Sequence, residues 1–191
     1  MRPSRIIGIG ASAGGVEALF RVLDQLPDGY EHALAIVLHV HARGGSLLPQ
    51  ILAGHCRLPV VLAEHGMMMR TGHVYVAPSD NHLLVTHSQI RLWHGPKEHG
   101  ARPAVDTTLR SIAVARDGCA VAVILSGALG DGSEGARAVA AVGGSVLIQD
   151  PADALFPSMP EHAMAAVPRG ASILSAKDIG VRLAGLSGGA A

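Results

Sequence analysis

Apolar residues along the chain fall into two alternating patterns, short continuous runs and longer stretches at helical spacing. Residues 5–10 (RIIGIG), 33–40 (ALAIVLHV), 119–125 (CAVAVIL) and 145–149 (SVLIQ) are runs of strand length. A run that is apolar at nearly every position has no wet face, so these predict strands covered on both sides, as in a parallel sheet. Between the first two runs, Val16, Leu19, Phe20, Leu23 and Leu26 recur at intervals of three and four, and Pro27 ends that helix. Leu109, Ile112 and Val114 mark a helix over 105–117, and another is predicted over 133–142. A short helix over 46–53 has Ser46 as its cap and Pro49 within its first turn. Residues 59–63 predict a brief strand and 171–186 a last strand–helix unit.

The middle of the chain reads differently. Residues 73–77, 82–87 and 89–93 are short runs divided by turn residues, which predict an antiparallel ribbon at the sheet edge. The polar stretch 94–103 and the proline-bearing stretch 150–160 read as loops, the first of them mobile. Strands alternating with helices through right-handed crossovers give an α/β fold. The expectation is a doubly wound, mostly parallel sheet with helices on both faces and an antiparallel edge hairpin, a Rossmann-like three-layer sandwich. With 191 residues and no visible repeat or linker, one domain is expected over 1–191, with a core from about 5 to 186 and a tail over 187–191.

Composition narrows the function classes. Hydrophobic residues at 49% against 16% charged exclude a disordered chain. Fifteen basic and fifteen acidic residues cancel, leaving no global field for nucleic acid or an anionic membrane, so neither is expected as a partner. No run approaches the roughly 20 apolar residues of a membrane span, and the N-terminal apolar stretch is too short for a secretory signal, so the expected place is the cytoplasm. Cys56 and Cys119 make no disulfide framework, and Cys119, opening an apolar run, reads as a small buried hydrophobe. The eleven histidines are scattered, and the pair His39 and His41 lacks a third ligand at fitting spacing, so no metal and no cofactor are expected.

The chemistry concentrates at the first turn. Gly8-Ile9-Gly10-Ala11-Ser12-Ala13 fits a loose dinucleotide fingerprint, yet the second strand ends in His39-Val40-His41 with no carboxylate for a ribose. The same turn also fits GxSxG as Gly10-Ala11-Ser12-Ala13-Gly14, which would present Ser12 as a nucleophile beside helix N-terminal amides. Ser12 as a plain helix cap suits the pattern equally. A nucleophilic serine needs a base and the base an orienting acid. His39 ends the second strand and Asp131 follows the 119–125 strand, which places all three on the carboxyl edge of the sheet, where open α/β folds bind ligands. His41 shares the face of His39 as an alternative base, Asp150 is an alternative acid, and Asp80 sits in a turn near the ribbon.

Six motifs then occur in order from about Arg5 to about Leu174: Gly10-Ala11-Ser12-Ala13-Gly14-Gly15, Leu38-His39, Tyr75-Val76-Ala77-Pro78, Arg102-Pro103-Ala104-Val105-Asp106, Leu125-Ser126-Gly127 with Asp131-Gly132, and Gln149-Asp150 with Met159-Pro160. Together they resemble the catalytic domain of the chemotaxis protein-glutamate methylesterase (CheB) family. The resemblance implies Ser12 as nucleophile, His39 as base and Asp131 as the acid that orients it, with His41 and Asp150 as neighbours. It implies hydrolysis of glutamyl 5-O-methyl esters on the cytoplasmic helices of a methyl-accepting chemotaxis receptor, releasing methanol, and deamidation of receptor glutamines. An imidazole base predicts activity that falls as pH drops below about 6.5. Backbone amides near Ala13 and Ala128 are the expected oxyanion donors, and the ribbon with loop 94–103 the expected grip on the substrate. Ala13 stands where the family often has threonine, and Ala128-Leu129-Gly130 where it often has Met-Gly-x, which bears on substrate preference. A first strand near residue 5 leaves no room for the receiver domain of phosphorylation-regulated members, so a stand-alone esterase is expected. A serine esterase for another protein or small ester, and a non-catalytic signalling module, are the competing expectations.

Overall fold

The computed structural model describes residues 3–39, 47–116 and 118–186. In chain order the strands are β1 (Ile6–Ala11), β2 (Ala33–Leu38), β3 (Val60–Leu62), β4 (His73–Val76), β5 (His82–Thr86), β6 (Gln89–Trp93), β7 (Ala120–Ile124), β8 (Ser145–Gln149) and β9 (Ala171–Leu174). The helices are α1 (Gly15–Leu23), α2 (Leu48–Ala53), α3 (Val105–Ala115), α4 (Ser133–Ala141), α5 (Ser158–Ala166) and α6 (Ala176–Ala184). Seven strands form one sheet in the order β3-β4-β2-β1-β7-β8-β9, and every pairing within it is parallel. The chain winds outward from β1 on one side, then returns to add β7 on the other. The switch point is therefore at the carboxyl ends of β1 and its two neighbours.

Side chains alternate across the pleat, so each strand feeds two cores. Ile7, Ile9, Ile36, Val121 and Val123 pack with α1, α2 and α6 on one face. Ile6, Ala35, Val37, Ala122, Ile124 and Ile148 pack with α3, α4 and α5 on the other. On that second face β1 carries only glycine at positions 8 and 10. A Cβ at Gly8 would lie 2.4 Å from Leu109 Cδ2, and one at Gly10 would lie 2.2 Å from Val105 Cγ1. The two glycines that fit a dinucleotide fingerprint are thus occupied in letting α3 lie directly on the central strand.

Several elements differ from the sequence reading. Residues 73–76 are not part of an antiparallel ribbon. They form β4, a parallel strand between β3 and β2, and its Val74, Tyr75 and Val76 are buried. Among the described strands only β5 and β6 pair antiparallel, as a separate two-stranded sheet. That hairpin is fastened to α3, where Thr108 Oγ1 donates to the Leu83 carbonyl and Val85 N–H donates to Ser111 Oγ. The stretch read as loop 150–160 turns helical at Ser158, since Pro160 falls in the first turn of α5, where its missing N–H costs nothing. Cys119 is exposed rather than buried, because its N–H closes a turn onto the Arg116 carbonyl one residue before β7 begins. The cap position Ser46, Val40, His41 and the tail 187–191 lie outside the described residues.

Candidate active site

Register alone brings two of the three named residues side by side. Ala11 of β1 faces Leu38 of β2, and the His39 N–H donates to the Ala11 carbonyl at 3.1 Å, so Ser12 and His39 leave neighbouring strand ends together. Ser12 opens the turn into α1, whose cap residue Gly14 sits at φ 69°, a left-handed conformation that suits glycine. The α1 cap makes no side-chain hydrogen bond, so the simple capping role for Ser12 has no support.

The turn is braced from β7. Ser12 N–H donates to the Ser126 carbonyl at 3.0 Å, and Ser126 Oγ donates to the Ala13 carbonyl at 2.8 Å while accepting the Phe156 N–H at 3.0 Å. Ser126 N–H in turn donates to Gln149 Oε1 at 2.8 Å, and Gln149 Nε2 donates to Asp153 Oδ2 at 2.8 Å. Gln149 and Ser126 are buried at the ends of adjacent strands and carry the scaffold beneath the Ser12 turn. Nothing in local spacing could have revealed the Ser126 contacts, because they join residues more than twenty positions apart.

Asp131 completes the cluster. It lies in the β7–α4 connection with 1% of its surface exposed. His39 Nε2 donates to its Oδ2 at 2.9 Å. The Val105 N–H donates to Oδ2 at 2.7 Å and the Asp106 N–H to Oδ1 at 2.9 Å. Those two amides open α3, whose cap residue Ala104 has no side chain to offer them. Asp131 therefore caps α3 while it holds His39. Burial pushes the Asp131 carboxyl upward, but the bonds from His39, Asp106 and Val105 together hold it below the ordinary carboxylate range. The ionised form is the one the fold wants.

The rival acids are engaged elsewhere. Asp150 Oδ1 accepts the Ala152 N–H in a local turn, and Asp80 accepts the guanidinium of Arg102 beside the hairpin. His41 lies outside the described residues. Loop 94–103 is tied down rather than free-standing. Buried His82 bonds the Pro96 carbonyl and the Ala104 N–H, Arg102 bonds the Gly95 carbonyl, and Glu98 pairs with Arg110. Beside the Ser12 turn, exposed Leu155 lies against Gly14 and exposed Phe156 donates its N–H to Ser126. Next to it, His99, Leu129, Glu134, Ser158 and His162 line an open depression of about 690 Å³.

The chain matches the family model described as CheB methylesterase over residues 7–183. It is 37% identical to protein-glutamate methylesterase/protein-glutamine glutaminase 1 of Rhodospirillum rubrum, over 91% of this chain and 46% of that protein. To the corresponding protein 1 of Paramagnetospirillum magneticum it is 38% identical, over 86% of this chain and 44% of that one. The chain thus spans slightly less than half the length of these curated relatives. Its fold superposes on the crystal structure of the Thermotoga maritima CheB methylesterase catalytic domain with a TM-score of 0.90 at 31% identity, covering 95% of this chain and 98% of the other. A parallel sheet with Ser12, His39 and Asp131 gathered at its switch point, matched by that catalytic domain along nearly its whole length, makes this chain a member of the CheB methylesterase family.

Proposed function

We propose that this domain is a protein-glutamate methylesterase that hydrolyses glutamyl 5-O-methyl esters on the cytoplasmic helices of a chemoreceptor, and deamidates receptor glutamines by the same chemistry. The observation that carries this reading is the bond from His39 Nε2 to buried Asp131, in a histidine whose strand register sets it beside Ser12. Family membership and the names borne by its relatives support the substrate class.

In this mechanism the Asp131 carboxylate accepts the hydrogen bond from Nε2–H, which leaves Nδ1 as the nitrogen that takes the Ser12 hydroxyl proton. Ser12 Oγ attacks the ester carbonyl, and the imidazolium is stabilised by the Asp131 carboxylate. Methanol, or ammonia from a glutamine, departs with the proton from His39, and water then cleaves the acyl-enzyme. Ser12 N–H and Gly127 N–H are already bonded to the Ser126 and Phe156 carbonyls, so the amides of Ala13 and of the Ala128 turn remain the oxyanion donors. Each well-placed donor contributes about 3–4 kcal/mol to the transition state. Exposed Leu155 and Phe156 give the site an apolar flank on an open surface, suited to a helix side rather than to a small molecule in a deep pocket. The receptor helices place the reaction in the cytoplasm. Among the described residues no helix is long and apolar enough to cross a membrane.

The test is methanol release from methylated chemoreceptor fragments, with Ser12→Ala alongside. A rate that the substitution reduces by 10³-fold or more supports the reading. Release that survives Ser12→Ala, or no release by a folded native domain, overturns it.

A further inference from the structure

Behind Asp131 lies a second carboxylate–imidazole pair. Asp106, in the first turn of α3, is completely buried. Its Oδ1 accepts the Gly135 N–H of the first turn of α4 at 2.7 Å, and its Oδ2 lies 3.1 Å from His99 Nε2. Asp131 thus caps α3, and Asp106 on α3 caps α4. Single atoms of His99, Asp106 and Asp131 fall within 4.8 Å of one another. Such a cluster can suggest a cation, but the two Asp131 oxygens already accept three N–H groups and Asp106 Oδ1 accepts another. The arrangement is better understood through charge. Two buried carboxylates side by side disfavour each other's ionised form, and each has one imidazole to answer it.

We propose that Asp106, with His99 beside it, is a positioning residue for the esterase reaction, which fixes the α3 amides that cradle Asp131 and sets the negative charge against which Asp131 holds the His39 proton. The inference rests on the reading of Ser12, His39 and Asp131 as the reacting group. Burial, reinforced by the Asp131 charge, pushes the Asp106 carboxyl above the usual range, against the pull of the Gly135 N–H, His99 and Arg110. The groups facing it are few. Arg110 on α3 is paired with Glu98 of the loop, Glu134 on α4 is paired with Arg137, and Asp131 is paired with His39. His82 beneath the loop is occupied by the Pro96 carbonyl and the Ala104 N–H. His99 is therefore the imidazole in direct contact with Asp106.

Two readouts test this: the pH–rate profile of methanol release, and the NMR titration of the His39 ring in the Ser12→Ala protein. Asp106→Asn keeps an oxygen for the Gly135 N–H and removes the charge. A negative charge near His39 favours its imidazolium, so removing it should move the acid limb and the His39 midpoint to lower pH by about half a unit or more. His99→Gln takes away a group that favours the ionised Asp106 carboxyl and should move both in the same downward direction, and adding it to Asp106→Asn should produce no further shift. A lower rate with an unmoved limb would mean a purely structural Asp106 and would overturn the proposal. If Asp106→Asn does not fold, His99→Gln, at a half-exposed position, decides alone, and an absent or upward shift rejects the pairing. Turnover that survives Ser12→Ala sinks the underlying reading instead, so the two failures stay distinct.

Discussion

Asp131 answers three donors with two oxygens, and no substitution can satisfy all of them at once. Asp131→Asn replaces one acceptor by an NH2 group that must face either a backbone N–H of α3 or the histidine. If it faces His39, the ring is driven to the opposite tautomer and Nδ1 is no longer free to take the serine proton. The expected loss in kcat is about 10³–10⁴-fold. Stability should fall by about 1–2 kcal/mol, the ordinary cost of a lost helix cap. The same geometry makes a spectroscopic prediction. In the native protein above the His39 transition, ¹⁵N shifts should show the hydrogen on Nε2 and a bare Nδ1. A ring protonated at Nδ1 would reverse the assignment of base nitrogen.

At the scale of elements, the site depends on how closely α3 approaches β1. Gly10→Ala would put a methyl 2.2 Å from Val105 Cγ1, a distance that no rotamer change relieves. The helix must shift, at a cost of about 2–3 kcal/mol. The first amides of α3 would move with it, and with them the cradle of Asp131, so kcat should drop by roughly 10²-fold. Gly29→Ala is the control, since its φ of 74° makes the residue strained but nothing lies within 4 Å of the added methyl. It should cost about 1 kcal/mol and leave turnover unchanged. Thermal melts with kinetics on both variants separate packing from backbone strain. These packing demands also explain what could be seen in the chain beforehand. The buried strands, and Ser12, His39 and Asp131 at their ends, were legible because local runs and strand ends carry that information. The position of β4 beside β2 was not, since a four-residue run pairs by tertiary choice. Helix α5 was hidden by prolines that its first turn tolerates. Ser126, Gln149 and Asp106 bond partners more than twenty residues away, and no spacing rule reports that.

For the whole molecule, acid acts at two places that the sheet keeps apart. Ser12, His39 and Asp131 sit at the carboxyl edge, whereas His32 precedes β2 at the opposite edge, 2% exposed and edge-on to Tyr30. Tyr30 donates its hydroxyl to the Leu183 carbonyl, fastening α6 there, and the His32 carbonyl accepts the Gly72 N–H ahead of β4. Burial lowers the His32 pKa below the ordinary imidazole value, outweighing the opposite pull of the Leu186 backbone. Between that lowered value and about 6.5 the unfolded chain therefore binds more protons than the native one. His32 leaves stability untouched well above pH 6.5 and removes it as pH falls below, by at most about 1.4 kcal/mol per pH unit. Asp106 works in the other sense, because its raised carboxyl favours the native state as pH falls through its folded value. Asp131 withdraws its contribution only below about 3.8, the ordinary carboxylate value. In the window from pH 6.5 to 5, then, His32→Phe should flatten the decline in unfolding free energy while leaving the pH–rate profile where it was. Denaturant unfolding at several pH values, set against kinetics on the same protein, measures both. An unchanged stability slope would remove His32 from the account, and a displaced rate profile would show that the two edges of the sheet are coupled after all.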